Sequence, residues 1–390
     1  EETLGVCLKS VVGLFDEIVV VDTGSKDNTV KIAENFGARV YHFPWINDFS
    51  AARNYSFSLL TTEYAFWLDC DDALVGREYL DELLLKCINL NLDGIVLEYL
   101  YAFDAYGERL LAELEPMLLS GQIASQEVIA KLKGRCITTQ YRERLVRRDP
   151  SWLWVYPVHE ALPAAGRRFG KYDNIKVIHR RHVRKHPIST RRNLDILDSV
   201  PPNRRDERIW FYYGLEHATS GNIDEAIVAF KTYLPLGTVD DERYLACHFL
   251  ADLHRAKNDI DSAVDYDLKA VGIRPTWRDA YAGLLESYVK KQDWMRAIYY
   301  GAMTKQAEIP DIPFAFNPLP EEVGWVGDYV MALSHLGQTE EARKEVDRAL
   351  LVVPEDSTLQ HNLDVLSIAL NFEKGSQATA NAVEFLLRND

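Results

Sequence analysis

Residues 64–72 read YAFWLDCDD, and this stretch decides how the first part of the chain folds. The apolar and aromatic run from Tyr64 to Leu68 has the length of a buried strand. It is followed at once by the carboxylates of Asp69, Asp71 and Asp72. Carboxylates gathered where a strand ends repel one another, and hard oxygen ligands suit Mg²⁺ or Mn²⁺. The pattern fits a cation site and a solvated acidic turn that caps the next helix equally well.

Strand and helix patterns alternate on both sides of this stretch. The predicted strands are residues 17–21, 38–43, 64–68 and 94–101, and the predicted helices are residues 4–11, 28–36, 49–59 and 80–90. Such alternation predicts an α/β domain in which helices cover both faces of a parallel sheet. Ligands of these sheets bind at the carboxyl ends of strands. The polar segments that begin at Asp22 and Asp69 are expected at that edge.

Two further polar segments could contact a ligand. Residues 22–29 read DTGSKDNT, and Asp22 could accept hydrogen bonds from a nucleoside at the end of its strand. Helix capping by Ser25 and Asp27 explains part of this segment without any ligand. Residues 45–54 read WINDFSAARN, in which Arg53 could contact a base or a phosphate. A surface salt bridge is the simpler interpretation of Arg53.

From about residue 201 to the end, the sequence predicts helices only. A weak repeat places alanine shortly after a polar turn at spacings of 37, 34 and 45 residues, at Ala226, Ala263, Ala297 and Ala342. Prolines end the units, as helix–turn–helix units of about 34 residues do in tetratricopeptide proteins. The longest spacing predicts an insertion around residues 310–320. An ordinary helical bundle is the alternative, whereas stacked helix pairs usually present a concave surface that binds proteins or peptides.

Composition narrows the class of protein. The chain has 390 residues, of which 47% are hydrophobic and 26% charged, which suits two or three soluble domains of about 150 residues each. No apolar run approaches the ~20 residues that cross a bilayer, and no signal peptide opens the sequence. Five cysteines without CxxC spacing argue against a disulfide framework or a structural zinc and favour a reducing, cytoplasmic compartment.

Charge is distributed unevenly along the chain. The net charge is −15, yet residues 131–208 hold 20 Lys and Arg against 8 Asp and Glu. An acidic chain of this kind is not expected to coat nucleic acid non-specifically. Its basic middle could still hold the phosphates of a small donor or of a polymer.

Together, the three polar segments have the order and spacing of a known family. The chain resembles the inverting family 2 glycosyltransferases of GT-A fold, whose patterns match residues 20–29, 48–54 and 68–72. Further matches are residues 144–149, 157–160, 178–179 and 192–194. Within the family it is most similar to the branch with a tetratricopeptide tail, which includes peptide S-glycosyltransferases such as the sublancin enzyme. The resemblance implies a Rossmann-like nucleotide-sugar domain over residues 1–200 and an all-α helical-repeat domain over residues 201–390.

The resemblance also implies a ligand set. The donor would be a nucleotide sugar, most often a UDP-sugar, whose nucleoside Asp22 contacts and Arg53 helps to hold. Asp69 and Asp71 would form the DxD pair, and Asp71 would bind the Mn²⁺ or Mg²⁺ ion that grips the diphosphate. His179 would be an additional ligand of the metal or the diphosphate. A metal there would stabilise the charge on the departing diphosphate.

An inverting reaction also needs a general base beside the acceptor. Glu160 is the preferred candidate, with His159 orienting it or contacting phosphate. A satisfied structural histidine is the alternative interpretation of His159 and of His179. The aromatic residues Trp152, Trp154 and Tyr156 fit a sugar-stacking surface and core packing equally well.

Three departures from the family pattern lead to further expectations. The family's first strand normally precedes the segment that begins at Glu1, and either a trimmed chain or a partner strand in that position is expected. An insertion at about residues 110–135 is expected near the acceptor, where it could set specificity. Cys70 replaces a residue that is usually small, and a buried, inert thiol is expected.

The leading functional hypothesis is a metal-dependent inverting glycosyltransferase that modifies a peptide or protein bound through the repeats. One alternative keeps the donor and replaces the acceptor with a polyanion, such as modified DNA or a lipid-linked glycan, held by residues 131–208. Another is a non-catalytic scaffold with a vestigial first domain. No membrane span is expected, and a homo-oligomer stays open.

Overall fold

A computed structural model describes the protein at residues 1, 3–102, 112, 116, 137–179, 189–310, 323–354 and 356–373. The chain divides into two compact units, one that runs from Glu1 to Arg205 and one that begins at Asp206. The insertion expected at residues 110–135 lies almost entirely outside the described residues. The insertion expected around residues 310–320 also lies outside them, except for Pro310.

The first unit contains seven described strands and five described α-helices. The strands are β1 (Val19–Asp22), β2 (Arg39–His42), β3 (Tyr64–Phe66), β4 (Asp72–Val75), β5 (Gly94–Ala102), β6 (Ile137–Arg147) and β7 (Phe169–His179). The helices are α1 (Leu4–Val11), α2 (Thr29–Asn35), α3 (Phe49–Ser58), α4 (Leu80–Asn89) and α5 (Ser189–Ser199). Each helix and strand predicted before residue 102 is present, with its ends moved by at most two residues. The predicted α/β alternation of this region is therefore confirmed.

The strands form two sheets rather than the single parallel sheet that the sequence predicts. β1 and β2 pair in parallel as a two-stranded sheet, and the other strands form a sheet of order β3-β6-β5-β7-β4. In the larger sheet only the β5–β7 pair is parallel. The prediction was wrong because β4, β6 and β7 come from segments that were not assigned to strands. β6 and β7 lie on either side of β5, so they separate it from β3 and β4.

Helix α4 covers one face of the larger sheet. Leu83 and Cys87 lie one helical turn apart and are fully buried. They belong to one core cluster with Ile95 and Leu97 of β5, which are also fully buried. Burial of each such side chain stabilises the fold by roughly 1.5–3 kcal/mol. The sheet edge that bears the acidic turn is thus anchored to a packed core.

The second unit consists of helix pairs. Its described helices are α6 (Glu207–Thr219), α7 (Ile223–Tyr233), α8 (Asp240–Ala256), α9 (Ile260–Ile273), α10 (Asp279–Lys290), α11 (Trp294–Gln306), α12 (Val326–His335), α13 (Thr339–Val352) and α14 (Ser357–Glu373). In four successive pairs, a residue with positive φ directly precedes the cap of the second helix: Gly221, Asn258, Gln292 and Gly337. The alanines of the predicted repeat follow four residues after each cap and are fully buried. The predicted all-α helical repeats are therefore confirmed.

None of the helices in the described ranges combines the length and the apolar character needed to cross a membrane.

Candidate active site

The turn at residues 69–72 joins β3 to β4. The backbone N–H of Asp72 donates to the carbonyl of Asp69 at 3.0 Å, and the Asp69 N–H donates to Oδ2 of Asp72 at 3.0 Å. The antiparallel pairing of β4 with β7 places Asp72 directly opposite His179. The end of the acidic turn and the predicted histidine therefore meet at one edge of the larger sheet.

Asp72 is the structural centre of this turn. Its carboxylate is fully buried, and its Oδ2 lies 3.0 Å from Nη1 of Arg144, which is also fully buried. Its Oδ1 accepts a hydrogen bond from the Tyr99 hydroxyl at 2.8 Å and lies 3.1 Å from Nδ1 of His179. A buried carboxylate is stable only with such partners. Asp72 therefore fixes Arg144, Tyr99 and His179 in place.

Asp71 faces the other nitrogen of the same histidine. Its fully buried carboxylate oxygen Oδ2 lies 3.6 Å from Nε2 of His179. Nδ1 of His179 lies 2.7 Å from the Tyr99 hydroxyl as well as close to Asp72. A proton on Nδ1 that is donated to Asp72 leaves the Nε2 lone pair directed towards Asp71. Metal-binding histidines are commonly held by a carboxylate in this way.

The donor atoms suit a divalent cation. One oxygen each of Asp71 and Asp72 and one nitrogen of His179 lie within 4.8 Å of one another, which makes this the candidate metal cluster of the described residues. The sequence predicts Asp69, Asp71 and His179 as ligands. The structure groups Asp72 with Asp71 and His179, whereas the Asp69 carboxylate contacts Arg53.

Arg53 of α3 joins two of the predicted site residues. Its Nη2 lies 2.6 Å from Oε1 of Glu160 and 3.2 Å from Oδ1 of Asp69, and its Nε lies 3.2 Å from the same Glu160 oxygen. The guanidinium carbon lies over the rings of Trp67 and Trp154, 4.1 and 4.8 Å from their centroids. The structure thus brings Arg53, Asp69 and Glu160 together. The surface salt bridge considered for Arg53 is instead a mostly buried one.

Asp69 and Arg53 both keep their charges near neutral pH. Burial raises the pKa of Asp69, but the cations of Arg53, Arg144 and Arg142, together with His179, outweigh it and hold that pKa below its usual range. Burial lowers the pKa of Arg53, but the carboxylates of Asp69 and Glu160 raise it above its usual value. Asp69 is therefore ionised and Arg53 cationic.

Asp22 lies at the carboxyl end of β1, in the smaller sheet. Its carboxylate accepts hydrogen bonds from the N–H groups of Gly24 and Ser25 at 3.2 and 3.1 Å and lies 3.4 Å from Nδ1 of His42. Burial raises the pKa of Asp22, but these bonds lower it overall. Asp22 is thus ionised, and it stabilises the turn at which the sequence predicts a nucleoside contact.

The segment that carries His159 and Glu160 has an unusual backbone. Tyr156 and His159 have φ values of 75° and 53°, a left-handed region that costs a non-glycine residue roughly 1–2 kcal/mol. The N–H of Phe49 in α3 donates to the carbonyl of Pro157 at 2.8 Å. Residues held in strained conformations are concentrated at functional sites. This local geometry presents His159 and Glu160 next to α3.

For two tryptophans the structure favours one of the sequence-based alternatives, and for Cys70 it contradicts the expectation. Trp152 and Trp154 are buried in a core cluster with Trp67 and Val146, so core packing accounts for both. Cys70 is exposed, and the prediction of a buried thiol was wrong. Asp71 and Asp72 point into the protein after it, and Cys70 is left on the outer side of the turn.

The sequence-based predictions include no role for Tyr99 or Arg144. Arg144 is followed by the apolar Leu145 and Val146 in β6, and an arginine in the middle of a buried strand requires a buried acid. That signal could have indicated a partner for Asp72. Tyr99 lies in the apolar run of β5, where nothing in its neighbours distinguishes a hydrogen-bonding role from packing.

Parts of this chain are similar to known proteins. Residues 1–150 match the family described as Glycosyl transferase family 2. A TPR repeat-containing protein of Synechococcus elongatus is 45% identical over 74 residues, which are 19% of this chain and 18% of that protein. An uncharacterized glycosyltransferase of Rickettsia conorii is 36% identical over 76 residues, or 20% of this chain and 26% of that protein. The prophage-derived glycosyltransferase SunS of Bacillus subtilis is 40% identical over 68 residues, or 17% of this chain and 16% of that protein.

The chain thus spans about a quarter or less of the length of these relatives. Among solved structures, one of MamA covers 46% of this chain and 96% of its own, with a TM-score of 0.34 and 16% identity. A tetratricopeptide repeat protein of Parabacteroides merdae covers 50% of this chain and 70% of its own, with a TM-score of 0.36 and 16% identity. Residues 1–150 are thus similar to glycosyl transferase family 2, and the chain continues into a unit built from helical repeats.

Proposed function

We propose that the protein is a metal-dependent inverting glycosyltransferase that moves a sugar from a nucleotide sugar, preferably a UDP-sugar, to a peptide or protein. The observation that carries the proposal is the buried pair of Asp71 and His179, in which Oδ2 of Asp71 lies 3.6 Å from Nε2 of His179. It lies at the end of β7, next to the turn that bears Asp69. The family 2 domain over residues 1–150 supports the class of donor.

Asp71 and His179 would hold the cation, with Asp72 adjacent. When bound, a divalent cation neutralises the charge that develops on the leaving diphosphate. Asp72 and Tyr99 keep the imidazole ring of His179 in one orientation through Nδ1. The ionised carboxylate of Asp69 accepts a hydrogen bond from Arg53 and adds negative charge next to it. Asp22 would contact the nucleoside from the end of β1.

Glu160 is the proposed general base. Inversion requires the acceptor to attack the sugar from the face opposite the leaving group, and a carboxylate there can accept the acceptor's proton. Its Oε1 is bonded to Arg53, which keeps the carboxylate in place. His159, the preceding residue, would orient it or contact phosphate. The strained backbone at His159 supports a functional role for this segment.

The acceptor class rests on the second unit and on the resemblance to peptide-modifying enzymes. Stacked helix pairs form extended surfaces that suit peptides and proteins. The Bacillus subtilis relative is itself named a glycosyltransferase. A cytoplasmic location and the oligomeric state stay predictions from the sequence.

The test is a donor screen with a matched pair of variants. UDP-, GDP- and dTDP-sugars are incubated with Mn²⁺, the protein and peptides that contain Ser, Thr and Cys, and products are read by mass spectrometry. We expect transfer by the wild type and by Asp173→Asn, which changes an exposed carboxylate on β7. Asp71→Asn should lose on the order of 10²-fold or more of the rate. Equal rates for both variants would contradict the role of Asp71.

A further inference from the structure

We infer that Arg53 is a positioning residue that fixes the carboxylate of Glu160, rather than a contact of the donor nucleotide. This inference rests on the proposed function, because Glu160 is the base only if the protein transfers a sugar. It departs from the resemblance, which assigns Arg53 to the nucleotide. The reason for the departure is that Nε and Nη2 of the guanidinium already contact carboxylates of the protein itself.

The edge of the guanidinium is directed at two carboxylates. Nε and Nη2 both reach Oε1 of Glu160, at 3.2 and 2.6 Å. Nη2 also donates to Oδ1 of Asp69 at 3.2 Å. Because both contacts with Glu160 fall on one oxygen, the carboxylate is fixed through Oε1, and Oε2 is the atom we assign to proton acceptance. The side chains of Arg53 and Glu160 are only 13% and 12% exposed.

Two aromatic rings also lie beside the same guanidinium, in edge-to-face contact with each other. Trp67 and Trp154 lie within 4.8 Å of the guanidinium carbon. Asn54, the neighbour of Arg53 on α3, holds Trp154 in place with a pair of backbone hydrogen bonds of 2.9 and 2.8 Å. A nucleobase or phosphate that approached Nε or Nη2 of Arg53 would have to displace a carboxylate. Such exchange is costly in a site with this little solvent.

Arginine is the residue type that this role requires. Its fork contacts two carboxylates at once and stacks on aromatic rings, whereas lysine offers one compact charge. Arg53 contacts both Asp69 and Glu160, so its removal would take away the two contacts that hold Oε1 of Glu160 in place.

The experiment is a double-mutant cycle between Arg53→Gln and Glu160→Gln, with Arg53→Lys as the conservative variant. Arg39→Gln is the matched control, because Arg39 also pairs with a carboxylate, Glu17, and lies over a ring, that of Tyr41. Turnover is measured with the UDP-sugar that the wild type uses, over times long enough to detect rates 10⁴-fold slower. Binding of UDP with Mn²⁺ is measured separately by calorimetry, and circular dichroism reports folding.

For Arg53→Gln we expect kcat to fall on the order of 10²-fold, the scale of a lost general base, with UDP affinity unchanged within about threefold. Arg53→Lys should recover part of that loss. In the Glu160→Gln background, Arg53→Gln should cost less than about threefold more, since its effect passes through Glu160. Arg39→Gln should behave as wild type.

Two results would overturn the inference while leaving the proposed function intact. One is a tenfold or greater loss of UDP affinity in Arg53→Gln, which would make Arg53 a donor contact. The other is an undiminished effect of Arg53→Gln in the Glu160→Gln background. Absence of transfer by the wild type with every donor would instead refute the proposed function, and the inference with it.

Discussion

The turn at residues 69–72 gives its three carboxylates three different surroundings. Asp69 is partly exposed and paired with Arg53, Asp71 faces His179, and Asp72 is buried against Arg144. Successive side chains of the turn point in different directions, so neighbouring acids do not share one environment. This division separates a structural acid, Asp72, from an acid placed to bind a cation, Asp71.

The structural role of Asp72 predicts a large effect on stability. In Asp72→Asn the fully buried Arg144 loses its anionic partner. Removal of one member of a buried ion pair costs about 3–5 kcal/mol. Urea unfolding followed by fluorescence should show a loss of this size. Glu63→Gln is the control, because Glu63 is 73% exposed in its pair with Arg147, and its loss should have little effect. Similar losses for the two variants would refute a structural role for Asp72.

The hydroxyl of Tyr99 predicts an effect on metal affinity. It bonds Asp72 and lies 2.7 Å from Nδ1 of His179, so it orients the imidazole without reaching the cation. Loss of such a supporting group typically weakens metal binding by about 10–100-fold. Tyr99→Phe should therefore weaken Mn²⁺ binding, as measured by electron paramagnetic resonance. Tyr64→Phe, which loses a hydroxyl bonded to Arg147, is the control. An unchanged affinity in Tyr99→Phe would rule out this supporting role.

At the scale of elements, small residues set how closely the repeat helices approach. Gly301 of α11 lies against the ring of Tyr329 in α12, and a Cβ there would overlap the ring. Gly301→Ala should destabilise the second unit by about 1–3 kcal/mol. Gly272→Ala is the matched control, since no described heavy atom lies within 4 Å of its added Cβ, and alanine favours helix. In thermal melting, the midpoint should fall for Gly301→Ala and rise for Gly272→Ala. Equal midpoints for the two variants would contradict the close contact at Gly301.

Helix α12 also carries a titrating group. Burial raises the pKa of Asp328 to about 6, and Glu286 adds to the rise while Lys290 and Arg255 oppose it. Between pH 4 and pH 6 the folded state therefore binds more protons than the unfolded state, so this group's contribution to stability falls as pH rises through that range. At pH 7.5, Asp328→Asn should raise the free energy of unfolding by roughly 1–2 kcal/mol, and the melting midpoint with it. At pH 4 the substitution should leave both unchanged. Asp347→Asn, half exposed on α13, is the control. A gain that does not depend on pH would contradict the burial of this charge.

Apart from β4, the helices and strands of the first 102 residues could be predicted because their signals are local. An apolar run followed by DCDD defines β3 and the turn without reference to the rest of the chain. The pairing of β4 with β7 could not be predicted, because His179 follows Asp72 by 107 residues and no local pattern encodes that register. β6 was missed because its sequence, ITTQYRERLVR, mixes polar, charged and apolar residues without a regular alternation. The cation site therefore depends on contacts that only the folded sheet creates.

At the scale of the whole molecule, part of the basic middle of the sequence is used inside the first unit. Four of its described arginines have partners within that unit: Arg144 with Asp72, Arg147 with Tyr64 and Glu63, Arg148 with the carbonyl of Thr62, and Arg167 with Asp149. Guanidinium groups committed to neighbours contribute little to a polyanion surface. These four side chains are therefore less available to a polyanionic acceptor than their charge alone indicates.

The candidate metal ligands all belong to the first unit, which predicts that bound metal stabilises that unit against unfolding. A ligand that binds only the folded state stabilises it by about 2.7 kcal/mol at 100 times its dissociation constant. Some amides of β4, β5 and β7 exchange their hydrogens through unfolding of the first unit. At an Mn²⁺ concentration 100 times the dissociation constant, the exchange of these amides should therefore slow on the order of 100-fold. Amides of α8 to α11 should keep their rates, since Asp71, Asp72 and His179 lie before residue 206. Chelation, or Asp71→Asn, should abolish the slowing. Equal slowing in both units would place the bound metal elsewhere.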